Sequence, residues 1–360
     1  MDMENYLNPL KSAFFIATLS LLTLAGCKKD EEPQPEPLAV TSGMVVACEG
    51  TFGQSNASLH LIYDDGKLAN NIYSTANNVA LGDVLQNYRV FNNRGYAVVN
   101  NSQKVEVINP GNFSSIGTIT GCDYPRDVVV IGDNKGYITN GSTSGELLTF
   151  NPGSFQVTGS IETGDGPEEV VYNGTYLFVA NSGGFGVDST VTVINPVNDQ
   201  VVATVEVGHI PVALEVDNQN NVWVLCKGQT IYNESWEIVD HTEAELMRID
   251  GQFHTVTGVL QIGELGDHPQ FMAMNPGKTE LYIVNDGEIR PLSITTGEFE
   301  PAFNSDPVHS IGVHPVTGEV YASSVPNYVD TDEISIFTAE GVFVGSFEVG
   351  VAPRAYAYRE

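Results

Sequence analysis

Asp83, Asp123, Arg126, Glu168, His209, His268, His309 and Arg354 all fall at or beside short turns, several of them of the form Gly-x-x-Pro, that precede one strand of a repeating unit. Carboxylates and imidazoles are the side chains that hold metals and move protons, so three histidines in equivalent turns invite a metal or a general base. They lie far apart in the chain, however, and a metal needs several ligands at set distances. Neither a metal nor another cofactor is expected. Acyl-transfer, zinc-protease, phosphate-loop and EF-hand motifs are missing. Asp330-Thr331-Asp332-Glu333 shares only its acidity with a calcium loop and lacks the glycine and the ligand spacing. A second group, Phe185, Tyr232, Trp236 and Tyr328, sits in long polar loops. Such rings could cover a large planar ligand, or fold back as local packing.

The elements that must position these residues are short. From Gly43 onward, runs rich in Val, Ile, Tyr and Phe alternate with Gly, Asn, Asp and Pro, without a helical period. A unit of four strands recurs every forty to sixty residues or so, the period of propeller blades. Labelling the strands a to d from the axis outward, seven b strands are expected, around Met44–Ala47, Gly95–Val98, Gly136–Thr139, Tyr176–Val179, Val222–Leu225, Leu281–Val284 and Val320–Ser323. Asn109-Pro110, Asn151-Pro152 and Asn195-Pro196 mark c-to-d turns, where the fixed φ of proline fits. The first copy starts on strand b and the last ends on strand a, Arg354–Tyr358. The two ends are therefore expected to share a blade, which closes the ring and removes an open edge. The expected fold is all-β: a seven-bladed propeller of four antiparallel strands per blade, over residues 43–360.

In an up-and-down blade the d-to-a and b-to-c connections emerge on one face. The long segments Thr51–Ala57, Ser182–Ser189, Lys227–Thr242 and Pro326–Asp332 are b-to-c loops, so they share a face with the Gly-x-x-Pro turns. Loops on a rigid scaffold are where binding is usually placed, and this face is the candidate ligand face.

Composition narrows the partners. With 45 acidic and 15 basic residues the chain has a formal charge of -30. No basic stripe interrupts this surface, so it repels phosphate backbones and nucleic acid is not an expected partner. No two of the four cysteines have the spacing of a zinc or redox site; Cys48 and Cys226 fall in apolar strands and read as core residues. Ala13–Leu24 is an apolar run of signal-peptide length preceded by Lys11. It ends in Leu24-Ala25-Gly26-Cys27, which resembles the lipobox of bacterial lipoproteins. That resemblance implies a leader over 1–26, a lipidated Cys27 anchored in a membrane, and a tether over 27–42. The block Lys28–Glu32 within the tether is similar to the surface-export signal of Bacteroidota lipoproteins.

Tyr137-Ile138-Thr139-Asn140, Phe178-Val179-Ala180-Asn181 and Tyr282-Ile283-Val284-Asn285 resemble the signature of YVTN-repeat, YncE-like propellers. Trp223–Cys226 and Tyr321–Ser324 lack the terminal asparagine. Glu49–Gly53, Asn56–Ser58, Leu81–Val84 and Gly183–Ser189 are similar to a Bacteroidota family of surface propeller lipoproteins, some of which capture vitamin B12 for a TonB-dependent outer-membrane transporter. The resemblance implies a non-enzymatic surface receptor for a small molecule, a corrinoid, at the outer membrane. A protein-binding scaffold, or a propeller enzyme of lactonase type with a defined His/Glu/Arg or calcium cluster, are the alternatives, since fold does not fix function.

Overall fold

The computed structural model describes residues 42–141, 144–304 and 306–360. The expected leader, Cys27 and the tether as far as residue 41 lie outside them. Within the described residues the apolar runs form seven four-stranded antiparallel sheets, the blades of a propeller. Their inner strands are Pro353–Arg359 (blade 1), Leu85–Phe91 (2), Pro125–Gly132 (3), Pro167–Tyr172 (4), Pro211–Val216 (5), Phe271–Met274 (6) and Val308–Val313 (7), each packed against the next around the ring. All seven expected b strands are present.

The b strands are predominantly apolar because both their faces are covered. Met44, Val46 and Cys48 pack against Tyr321 and Ile334 of blade 7, whereas Val45 and Ala47 pack against Tyr88, Ala97 and Val99 of blade 2. A two-residue side-chain period thus sends alternate residues of one strand into two different cores. One apolar cluster fills each of the seven blade interfaces. Outer strands such as Gln200–Glu206 are exposed along most of their length. The ring closes as the repeat implies: Gly43–Cys48 pairs antiparallel with the C-terminal strand, Val45 opposite Ala357 and Val46 opposite Tyr356.

Three of the c-to-d turns share one device. The Asn109, Asn151 and Asn195 side chains accept the N–H two residues on, at 2.8, 2.8 and 2.9 Å. Four residues after each asparagine, Phe113, Phe155 and Asp199 close the turn with positive φ.

Two elements depart from the uniform strand pattern. A helix, Ile72–Asn77, joins blades 1 and 2, flanked by Asn71 and Asn78 in the left-handed region, with Ile72 and Tyr73 buried. Six residues are too few to display a helical period. The expected loop Lys227–Thr242 contains a hairpin, Thr230–Tyr232 with Ile238–His241, which stands outside the blade sheets. Its alternation is interrupted by the polar turn after Asn233, whose side chain accepts from the Ser235 and Glu237 N–H groups.

Candidate functional site

The inner strands of blades 1, 3, 4 and 5 each begin at a proline, and the next residue lines a cavity of about 220 Å³ at the channel mouth: Arg354, Arg126, Glu168 and Val212. Gln270, after Pro269, completes this pattern. The residues before three of the prolines, Gly166, Ile210 and Ala352, have φ of 56, 56 and 54°. This region is costly for a β-branched residue such as Ile210. It is held by a repeated latch, in which the residue just past strand b donates to the strained carbonyl: Ser182 N–H to Gly166 (2.9 Å), Lys227 N–H to Ile210 (3.1 Å) and Glu49 N–H to Ala352 (2.8 Å). Two of the three asparagines of the repeat signature serve the same junction, whereas Asn181 donates to Thr190 and Thr192 of the next strand. The Asn140 side chain accepts from the N–H of Asp123 and Tyr124 at 3.1 and 2.7 Å, and that of Asn285 donates to Asp267 at 2.9 Å.

At the mouth Arg126 grips Glu168 through two hydrogen bonds, Nε at 2.9 Å and Nη2 at 2.5 Å. Arg354 approaches the same carboxylate at 3.6 Å, and its guanidinium lies over the Phe271 ring at 5.3 Å. Burial pushes the Glu168 carboxyl up, but Arg126, then Arg354 and Lys227, outweigh it and hold Glu168 below the usual range. Lys227 is pulled down by burial and by its two arginine neighbours. Lys227 was not legible as a site residue, since it reads as the first residue of a loop.

Deeper in the channel lies a second cluster that sequence reasoning also missed. Asp127 accepts from Arg89 Nε and Nη2, both at 3.1 Å, and Arg89 Nη2 reaches Glu169 at 2.7 Å. Three carboxylates in successive blades each bridge to the next inner strand. Asp127 accepts the Val170 N–H (3.2 Å), Glu169 the Leu214 N–H (2.7 Å) and Glu215 the Met274 N–H (3.2 Å). Burial drives Glu215 up to about 7 against the pull of Arg89, and raises Glu169, which also feels Asp127 and Glu215. The signal was present in Arg126-Asp127 and Glu168-Glu169, adjacent charges in otherwise apolar strands. Such charges are kept inside only when paired.

The remaining expected residues divide by role. Asp83 braces a loop, accepting from the Gly53 N–H (2.9 Å) and from Asn101 (2.5 Å). Asp123 and His209 are exposed. His268 donates from Nδ1 to the Lys227 carbonyl at 2.8 Å, and its Nε2 lies 2.9 Å from the Thr230 hydroxyl and 3.3 Å from His241 Nδ1. It pins the inserted hairpin to blade 6. His309 packs edge-on against Phe271, and burial followed by Arg354 lowers it to about 4. The three histidines do not converge, and among the described residues no three His, Cys, Asp or Glu come together as a metal site would require. Cys48, Cys122 and Cys226 are buried free thiols. Phe185, Tyr232, Trp236 and Tyr328 are all on the surface; Phe185 is 80% and Trp236 83% exposed, and Tyr232 pairs with Trp236 at 6.2 Å.

Among solved structures the chain is similar to hydrazine synthase of Kuenenia stuttgartiensis, with a TM-score of 0.64 at 14% identity, covering 82% of this chain and 97% of that one. At that identity the likeness is one of fold. No curated protein matches the sequence. The model of one family, described as a domain of unknown function (DUF5074), matches residues 42–342, nearly the whole ring, and the chain accordingly belongs to the DUF5074 family.

Proposed function

We propose that the protein is a non-enzymatic cell-surface lipoprotein that captures a small molecule, a corrinoid, on the b-to-c face and passes it to a TonB-dependent outer-membrane transporter. The supporting observation is where the rings are. Nine aromatic side chains are exposed among the described residues, and five of them, Phe52, Phe185, Tyr232, Trp236 and Tyr328, stand on b-to-c loops around the channel mouth. Exposed aromatics of this kind are a cost unless they meet a ligand, and apolar walls with a few polar groups suit a broad ring fringed with amides. The resemblance of the loop motifs to B12-capturing lipoproteins supplies the corrinoid.

The two tryptophans make a clean test. Trp223 is 5% exposed, with its indole N–H on Asp217 at 3.2 Å, whereas Trp236 stands free on the inserted hairpin. Titrating the purified full chain with cobalamin should quench fluorescence saturably, and Trp236→Phe should remove the quenching. Neither saturable quenching nor heat at about 100 μM ligand, far above a dissociation constant of roughly 1 μM, would overturn the corrinoid reading. The anchor has its own test. Cys27→Ala should release the protein from the membrane fraction and abolish its protease sensitivity on intact cells; equal partitioning of both forms would refute lipidation.

A further inference from the structure

Arg126, Lys227 and Arg354 come from blades 3, 5 and 1 of a chain whose formal charge is -30, yet they meet at one cavity around a single carboxylate, Glu168. Glu168 is already satisfied by the two-pronged grip of Arg126. Arg354 at 3.6 Å is beyond hydrogen-bonding distance of it. Among the described residues neither Arg354 nor Lys227 gives a side-chain hydrogen bond to protein, although Phe271 beneath Arg354 holds its guanidinium in place. The next carboxylate, Glu49, accepts a hydrogen bond from Gln86 at 2.8 Å. Even with Glu49 counted, three cations face two anions. Withdrawing unpaired cations from water is costly, and a positioned guanidinium fork beside an ammonium is the arrangement that recognises oxyanions.

We propose that the channel mouth binds the oxyanion group, carboxylate or phosphate, of a small ligand, held by Arg354 and Lys227 with Arg126 and Glu168 fixed behind them. The cavity of about 220 Å³ shares Glu168, Val212, Gln270 and Arg354 with a deeper one of about 230 Å³, so a molecule larger than a single ion fits. The deeper walls carry three carboxylates, Asp127, Glu169 and Glu215, against one cation, Arg89. A ligand therefore enters with its anionic end at the mouth and hydrogen-bond donors, hydroxyl or ammonium, pointing inward. This deepens the reading that the b-to-c face takes a small molecule and does not require a corrinoid.

The test is thermal unfolding of the purified full chain at pH 7.5 in sodium phosphate or sodium acetate, each against sodium chloride at equal ionic strength. One of the two oxyanions should raise the melting temperature saturably, with half-saturation in roughly the millimolar range expected of a small ion. A stronger response to phosphate assigns a phosphoryl group, and to acetate a carboxylate. Arg354→Gln and Lys227→Gln should each shift half-saturation upward tenfold or more. General stabilisation by excluded salts would persist in both variants, so the part they remove is the specific one. Without oxyanion, Lys227→Gln should melt at or above the wild-type temperature, because it loses an unpaired cation. Identical responses in all three proteins, no response beyond chloride, or a Lys227→Gln protein less stable without oxyanion would each overturn the assignment. The Trp236 titration is read separately, so failure of the corrinoid reading leaves this result standing, and the reverse.

Discussion

Deleting Val351–Glu360 is expected to abolish cooperative folding. The deletion strips the inner strand from blade 1, leaving Gly43–Cys48 with an open edge facing the channel. Six paired residues lose their ladder, whose hydrogen bonds contribute about 1 kcal/mol each. Three anchors go with it. The Tyr356 hydroxyl meets Ser310 at 3.0 Å, the Tyr358 hydroxyl donates to Asp64 at 3.0 Å, and Arg359, 1% exposed, lies over the Phe113 ring at 5.2 Å. Tyr356 and Tyr358 also pack on the blade 7 to blade 1 core, and Ala355 and Ala357 on the blade 1 to blade 2 core, so two of the seven interfaces are opened at once. The summed loss is comparable with a whole domain's stability of roughly 5–15 kcal/mol. Calorimetry should show no cooperative transition, and size exclusion should show aggregates formed through the unpaired edge. A truncated protein with an unchanged melting temperature would mean that the strand adds nothing to closure.

Arg89→Met is expected to cost about 2–3 kcal/mol at pH 8 and little at pH 5. Among the described residues Arg89 is the one cation paired with both Asp127 and Glu169. Removing one partner of a buried ion pair costs about 3–5 kcal/mol; the value is discounted here because the Arg89 side chain is 40% exposed. Glu215 rises in the folded state from 4.5 to about 7, and Glu169 shifts the same way. A carboxyl raised by folding binds more protons folded than unfolded, so its stabilising contribution is complete below about 4.5 and is lost as pH climbs through about 7. Without Arg89 both groups rise further, and the penalty grows above neutrality. At pH 5 both are protonated, while Asp127 keeps its hydrogen bonds from Asn87 and from the Val128 and Val170 N–H groups. His309, lowered by burial and Arg354, has the opposite pH slope, which is common to both proteins and cancels in the difference. The melting temperature should fall by roughly 3–5 °C at pH 8. An equal fall at both pH values would assign Arg89 a packing role instead.

Much of this molecule is local and could be read along the chain. Strand b of each blade is covered on both faces, so Val222–Cys226 is apolar throughout and its six counterparts have apolar centres, a pattern that needs no knowledge of neighbours. Three of the c-to-d turns depend on an asparagine accepting from its own backbone two residues on, again a local property. Closure followed from counting, since a chain that starts on b and ends on a satisfies both edges only by pairing them. The tether and Cys27 remain a matter of sequence, outside the described residues.

The site is different. Arg126 and Glu168 were expected at the mouth, but their pairing was not, nor that Lys227 completes the set while Asp83 is spent on the Gly53 loop. Asp127, Glu169 and Glu215 are far apart in sequence and become neighbours because the ring brings the inner strands of successive blades to one axis, with Asp127 and Glu169 at the same strand position and Glu215 two residues further along. Whether a charge there meets a cation, a backbone N–H or an open cavity depends on side-chain reach and on what the next blade offers. Period and composition identify the position; only the closed ring, with its low-dielectric interior demanding a partner for each charge, decides what occupies the space beside it.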